Sequence, residues 1–243
     1  MKIRIWHIAV FVVALLVFAI ARAPATFFVP QRPGQLSYAS AEGAIWQGAL
    51  NTLALGPYRV TQARWCLSPF DLVQGKAIVP VTLSGGAING DLILLGNWHG
   101  DRRIGVSQLT VSGLPFAQGM LPGETRFHNL DILFERGACV RAHGHIESDV
   151  LVRAGEALGW AGPPMAGNAS CDGKIARIAL TGVNDAGERV NANIVLMGDG
   201  AASWRVSVLT RREQSLAALA AAGFTPSAAD GALGYGEETR WLP

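Results

Sequence analysis

The sequence predicts a mainly β protein: an N-terminal transmembrane helix followed by a curled antiparallel sheet or sandwich with a short C-terminal helix. Three observations point there. An apolar run from Ile5 to Ala21 is bracketed by Lys2, Arg4 and Arg22, with His7 its only ionisable residue. Downstream, short segments alternate apolar and polar residues at period two, and 29 glycines are scattered among them as turn markers. Near the end, Glu213 to Ala222 is rich in alanine and leucine and is followed by Gly223, a suitable C-terminal stop.

The apolar run rises about 25 Å as a helix, just short of a hydrocarbon core of about 30 Å, and Lys2, Arg4 and Arg22 can snorkel to the head groups at either end. Trp6 suits the interface. The positive charge ahead of the run keeps residues 1–4 in the cytoplasm and sends everything after the 5–22 anchor across the membrane. A cleaved signal peptide is the competing reading, because Ala21-Arg22-Ala23 resembles a cleavage site. The run exceeds a typical signal core of about 7–15 residues, and Pro24 directly after the cut fits a protease subsite poorly, so a retained anchor is expected.

Pro24, Pro30, Pro33 and Gly34 make residues 23–35 a stiff linker, and residues 36–243 are then a periplasmic β-rich domain. Strand patterns cover Leu53 and Leu55, Ala77 to Leu83, and Leu92 with Leu94 after an Asn89-Gly90-Asp91 turn signal. They continue over Ile104–Val111, Leu130–Phe134, Cys139–Ile146, Lys174–Leu180, Val190–Leu196 and Trp204–Leu209. The spacing suits an antiparallel sheet rather than βαβ units. Asp149 to Leu158 is a second short helix pattern, stopping near Gly159, and the tail from Pro226 to Pro243, with little periodicity, is expected to fray or drape over the surface.

Hydrophobic residues make up 50% of the 243 and charged residues 16%, which excludes disorder and allows a sizeable core. Setting Lys2 and Arg4 aside leaves 18 basic (20 − 2) against 18 acidic residues in the exported part. With no basic run either, the electrostatic footprint of a nucleic-acid binder is missing.

Across the membrane, three cysteines meet an oxidising compartment. Cys139 and Cys171 are the favoured pair, each in a strand-like segment with a Gly- and Pro-rich connector between them. Closing a loop of about 33 residues would stabilise by roughly 3–4 kcal/mol in the chain-entropy picture. The alternative keeps all three reduced and buried. Cys66, between Trp65 and Leu67, suits a small buried apolar position.

Candidate chemistry is thin. On a regular strand His143 and His145 share a face with Arg141 and Cys139, but Arg141 repels a cation and no third ligand motif accompanies them. Asp71, Asp91, Asp101, Glu124, Asp131 and Glu135 form no acid–base pair pattern. Gly105 to Leu109 lacks the second glycine of a nucleophile elbow, and neither Gly85-Gly86 nor Gly234-Tyr235-Gly236 has the context of a phosphate loop. No catalytic, metal or cofactor site is expected. Trp46, Trp65, Trp98, Trp160 and Trp204 are expected to be core or interface aromatics.

A series of short motifs remains. Gly43-Ala44-Ile45-Trp46-Gln47-Gly48 has the form Gly-x-x-Trp-x-Gly, and Trp65-Cys66-Leu67-Ser68-Pro69 the form Trp-x-Leu-x-Pro. Gly113-Leu114-Pro115, Leu121-Pro122, Cys139, Cys171-Asp172-Gly173 and Leu216-Ala217-Ala218-Leu219 to Gly223-Phe224 follow in order. In this order the chain resembles the type II secretion system protein N family over nearly its whole length; Cys66 stands outside the pattern. The resemblance implies a single-pass inner-membrane protein with a β-rich periplasmic domain and a Cys139–Cys171 pair. It implies contacts with other secretion subunits, such as the inner-membrane platform or the outer-membrane secretin, and no catalytic residues. The competing class is a binding module whose apolar sheet face holds a lipid chain, similar to the AsmA group.

Overall fold

The structure is a computed structural model that describes residues 11–12, 14–15, 18–19, 22–27, 29, 36–116, 119–155, 159–221, 223–226 and 233–240. Most of the expected 5–22 anchor lies outside these residues. The described positions 11–12, 14–15 and 18–19 are helical, Arg22 N–H bonds Phe18 O at 3.0 Å, and Phe11, Val12, Leu15 and Phe18 are exposed. Among the described residues no helix is long and apolar enough to cross a membrane.

Period-two alternation becomes one sheet. Its strands are β1 Leu36–Ala44, β2 Gln47–Leu55, β3 Tyr58–Cys66, β4 Lys76–Gly86, β5 Ile88–Asn97, β6 Arg102–Phe116, β7 Gly119–Glu135, β8 Ala138–Ser148, β9 Met165–Asp172, β10 Ile175–Val183, β11 Arg189–Leu196, β12 Ala201–Leu209, β13 Thr225–Pro226 and β14 Leu233–Arg240. Helices interrupt it at α1 Pro69–Val73, α2 Val150–Arg153 and α3 Glu213–Ala221. Each strand pairs antiparallel with the next from β1 to β12, then β14 joins β12 and β13 lies outside β14. The sandwich alternative is therefore not formed: the described strands make a single open meander.

Register explains how one sheet holds a core. Direct partners share a face, and one unbroken row runs Ala41, Leu50, Ala63, Leu83, Gly90, Leu109, Phe127, Ile146, Gly167, Leu180, Ala192, Val206, Tyr235. The adjacent row, one residue along each strand, includes Arg64, Thr82, Asp91, Gln108, His128, His145, Asn168, Asn193 and Arg205. A one-residue slip anywhere would exchange the two rows, so the alternation pins the register.

The sheet also curls. The β7–β8 and β11–β12 turns are four strand spacings apart, roughly 19 Å in a flat sheet. Instead they touch: a Cβ on Gly198 would lie 2.6 Å from Gly137 Cα, and Arg102 Nη1 donates to Gly198 O at 2.8 Å. Rolling β6–β12 in this way encloses Ile132, Phe134, Ile146, Val190 and Val208, all fully buried.

All turns of one parity fall at one end of the sheet. The end with the β1–β2 turn is here the near end; α2 and α3 sit at the far end. There, α2, α3 and Trp160 cover the apolar face through Val150, Leu151 and Leu219. Glu188 joins the pieces: it is 4% exposed and accepts from Trp160 Nε1 and Asn184 Nδ2, each at 2.7 Å, and from Thr210 Oγ1.

Several expectations change. Asn89-Gly90-Asp91 is not the turn: β5 runs through it and the chain reverses at residues 85–87. Asn89 still shapes that turn, accepting from Gly85 N at 2.6 Å and donating to Gly86 O at 2.9 Å. Gly90 serves close strand approach, since a Cβ there would lie 2.1 Å from Gln108 O. The tail supplies β14, whose backbone completes the β12 edge while Tyr235 packs 5.4 Å from Trp204 and 5.7 Å from Phe224. The Asp149–Leu158 helix shrinks to α2, with residues 156–158 outside the description; α3 matches the expected helix to Ala221.

Candidate docking surface

The two tryptophan motifs, about twenty residues apart in the chain, meet at the near end. Gly43 pairs with Gly48 at the β1–β2 turn, and Gly48 pairs with Trp65 on β3. Gly43 has φ +85°, and a Cβ there would lie 2.4 Å from Gln47 O, so the position requires glycine. Gly48 makes room for the Trp65 ring, which would come within 2.3 Å of a Cβ. Trp65 Nε1 in turn donates to Ile45 O at 3.0 Å, and Leu67 N donates to Trp46 O at 2.6 Å. Pro69 then opens α1, with Ser68 as N-cap accepting from Asp71 N at 3.4 Å. Gly43, Trp46, Gly48, Trp65, Leu67 and Pro69 thus build one corner, from which α1 continues along β4. Gly48→Ala is expected to push Trp65 off its seat and destabilise by about 1–3 kcal/mol, read as a lower denaturant midpoint.

The corner also fixes where the chain enters. Pro24 bridges Ala44 and Ile45 N donates to Ala23 O at 3.1 Å, so the segment leaving residues 18–22 arrives at the near end. Ala25, in the short turn Ala25–Phe27, is buried, and Tyr38 Oη donates to Val29 O at 2.9 Å. The described part of the proline-rich segment therefore lies along the sheet.

Next to the corner, Phe70, Val73 and Trp98 are 71%, 85% and 81% exposed. Of the core or interface positions expected for it, Trp98 does not take the core one: it sits in the β5–β6 turn, its backbone N–H bonding Gly75 O at 3.4 Å and its ring lying where a Gly75 Cβ would be. Trp160 is buried, Trp65 is half-buried, and Trp204 packs against Tyr235 with the rings tilted by 44°. Cys66 corrects an expectation, being an exposed free thiol paired in register with exposed Gln47, on the outer face at the end of β3.

Cys139 and Cys171 are joined by a disulfide, with Cα atoms 5.6 Å apart. Its place is mechanical: β8 and β9 are in register only from His145–Asn168 to Ser148–Met165, toward the far end. Nearer the other end, the bridge and the Cys139 N to Lys174 O bond of 3.0 Å hold the segments together. A register shift between Leu133 and Phe134 pairs Cys139 with buried Phe134 and Arg141 with Leu133. This bulge separates Cys139 from the face of Arg141, His143 and His145 that regular alternation predicts.

On that outer face Asp131 accepts from Arg103 Nε at 2.6 Å and pairs with Arg141 Nε at 3.0 Å, tying β6, β7 and β8. His145 lies 3.0 Å from Asn168 Oδ1 and 3.3 Å from Glu147 Oε1; the Asn168 bond first, with Glu147 adding to it, outweighs slight desolvation and raises its pKa. Among the described residues, no three His, Cys, Asp or Glu side chains converge as metal ligands. Glu188 had no sequence signal, since it follows a turn like most other carboxylates.

A family model for type II secretion system protein N matches residues 34–233. The chain belongs to that family. No curated protein and no solved structure matches the chain. As a protein N family member it is an accessory component of the type II secretion machinery, and membership implies interaction with other components of that machinery.

Proposed function

We propose that this protein N is a single-pass inner-membrane component, held by residues 5–22 with its N-terminus in the cytoplasm. Its β domain acts in the periplasm by docking to other secretion subunits, the inner-membrane platform or the outer-membrane secretin. The family match carries the assignment to secretion. Three features support the details: the positive charge before the apolar run, the exposed apolar side chains of the described helical residues, and the Cys139–Cys171 bridge, which suits an oxidising compartment.

Docking by strand addition fits the open sheet. Among the described residues, the outer edge of β1 carries one bridge, Pro24 to Ala44, and β14 is covered by the two residues of β13. Such edges offer main-chain donors and acceptors to another strand. A photo-crosslinker at exposed Ser37 on β1 is expected to capture a platform or secretin subunit in the intact envelope, and deletion of the protein to impair type II substrate export. Unchanged export and secretin assembly on deletion would overturn the reading.

The apolar face also favours lipid binding as a second reading. Its β6–β14 part is covered by α2, α3 and Trp160, whereas on β4 and β5 Val79, Val81 and Leu92 are half-buried and Leu94 is 41% exposed. Lipid retained by the purified protein in mass spectrometry would support that reading; its absence would count against it.

A further inference from the structure

We propose that the near end of β1–β5 rests on the bilayer, with Phe70, Val73 and Trp98 inserted in the interfacial layer of the membrane that holds residues 5–22. The inference rests on the anchor reading and adds an orientation and a lipid-contacting surface to it.

Single exposed apolar residues are ordinary, but two aromatics and a valine, each more than two-thirds exposed and gathered at one end, are not. Phe70 and Val73 are three apart on α1 and so share a helix face. Trp98 stands beside them on the Gly75 backbone, and an indole is well suited to the head-group level. Continuity of the chain identifies the occupant. Ile45 N bonds Ala23 O, Leu67 N bonds Trp46 O, α1 follows at Pro69, and Trp98 N bonds Gly75 O. These links run without a gap from the segment leaving the anchor to each of the three side chains. The chain enters the domain at the same end as the patch, so a bilayer holding the anchor lies next to that patch. Exposed Arg22 and Lys76 suit anionic head groups; the opposing charges at this end are half-buried Asp71 in the first turn of α1, half-buried Asp101 at the β5–β6 turn and exposed Glu42 beside the β1–β2 turn. The far end, with α2, α3 and the β10–β11 turn, would point away from the membrane.

The test uses the full chain with Cys66→Ser, reconstituted in phosphatidylethanolamine–phosphatidylglycerol vesicles. An environment-sensitive fluorophore is placed at Val73→Cys or, independently, at Phe70→Cys; both positions are exposed, so neither change removes core packing. Asp185→Cys, exposed in the β10–β11 turn, is the far-end control. Spin-labelled lipid is expected to quench the labels at 70 and 73 at least twofold and to leave the label at 185 unchanged. Vesicle flotation is read in the same samples. A chain that floats while the labels at 70 and 73 behave like 185 overturns this inference alone, including the case where they are shielded by protein but not quenched by lipid. A chain that does not float overturns the anchor reading and this inference with it.

Discussion

Replacing Glu188 with alanine is expected to destabilise the β domain by about 3 kcal/mol at neutral pH, because it strands several buried donors at once. Trp160 Nε1, Asn184 Nδ2 and Thr210 Oγ1 all donate to this carboxylate, and the Ser215 side chain does so from α3. Burial by itself pushes the carboxyl pKa up; the bonds from Thr210, Ser215, Asn184 and Trp160 outweigh it and hold the group at about 2, against an ordinary 4.5. That drop corresponds to about 3 kcal/mol of linkage. Since the folded pKa is the lower one, the stabilisation is complete above about pH 4.5 and is lost as pH falls toward about 2. Glu188→Gln keeps the shape, removes the charge and replaces one of the two accepting oxygens by an NH2 group that cannot accept. It should lower stability at pH 7 and flatten this part of the acid limb, which denaturant melts at pH 7, 4 and 3 would show. An unchanged acid limb would mean that other carboxylates dominate acid unfolding. The consequence is local as well as global, because the same contacts hold α3 and Trp160 over the far end of the sheet.

Cys139→Ser, or reduction of the bridge, is expected to cost about 3–4 kcal/mol, the loop-closure value for a separation of 32 residues. For a domain of this size that is roughly 10 °C in Tm. The expected pattern is more specific than the magnitude. Only four residue pairs hold β8 to β9, all toward the far end, so losing the bridge frees the near-end parts of both strands first. Hydrogen exchange should accelerate around residues 139–143 and 169–172 and much less at Ile146 or Val190. Uniform acceleration would show that the bridge stabilises the whole sheet rather than its splayed end. Under reducing conditions β8–β9 is then the seam expected to open first.

Much of the architecture is legible in the sequence. Val79, Val81 and Leu83 alternate because one face of β4 is wet, and period two is visible in any window that long. Glu213 to Ala221 showed its helix because alanine and leucine favour that state locally, and Gly223 marks its end. The misreadings share a cause. Asn89-Gly90-Asp91 has turn chemistry, yet the reversal falls at residues 85–87, where Asn89 bonds Gly85 and Gly86 while Gly90 is reserved for the close approach of β6. For Trp98 residue type leaves core and interface both open, and its exposure follows from sitting at a turn. The 233–240 segment has little periodicity, but backbone bonding to β12 does not need any.

The candidate surface divides in the same way. Gly-x-x-Trp-x-Gly and Trp-x-Leu-x-Pro were legible as ordered motifs, and with the apolar N-terminal run they pointed to the family. Their meeting at one corner was not legible, because it depends on β2 and β3 pairing Gly48 with Trp65 across an intervening hairpin. Nor could Glu188 be told from a surface glutamate, since its burial depends on Trp160, Thr210 and Ser215 converging from separate stretches of chain. Alternation, propensity and punctuation are local, so residues 36–209 announced themselves as antiparallel β structure. Curvature, closure of the core and the choice of exposed end arise from contacts such as Gly137 with Gly198 and Pro24 with Ala44. Those contacts exist only after the strands have paired, and no window of sequence contains both partners.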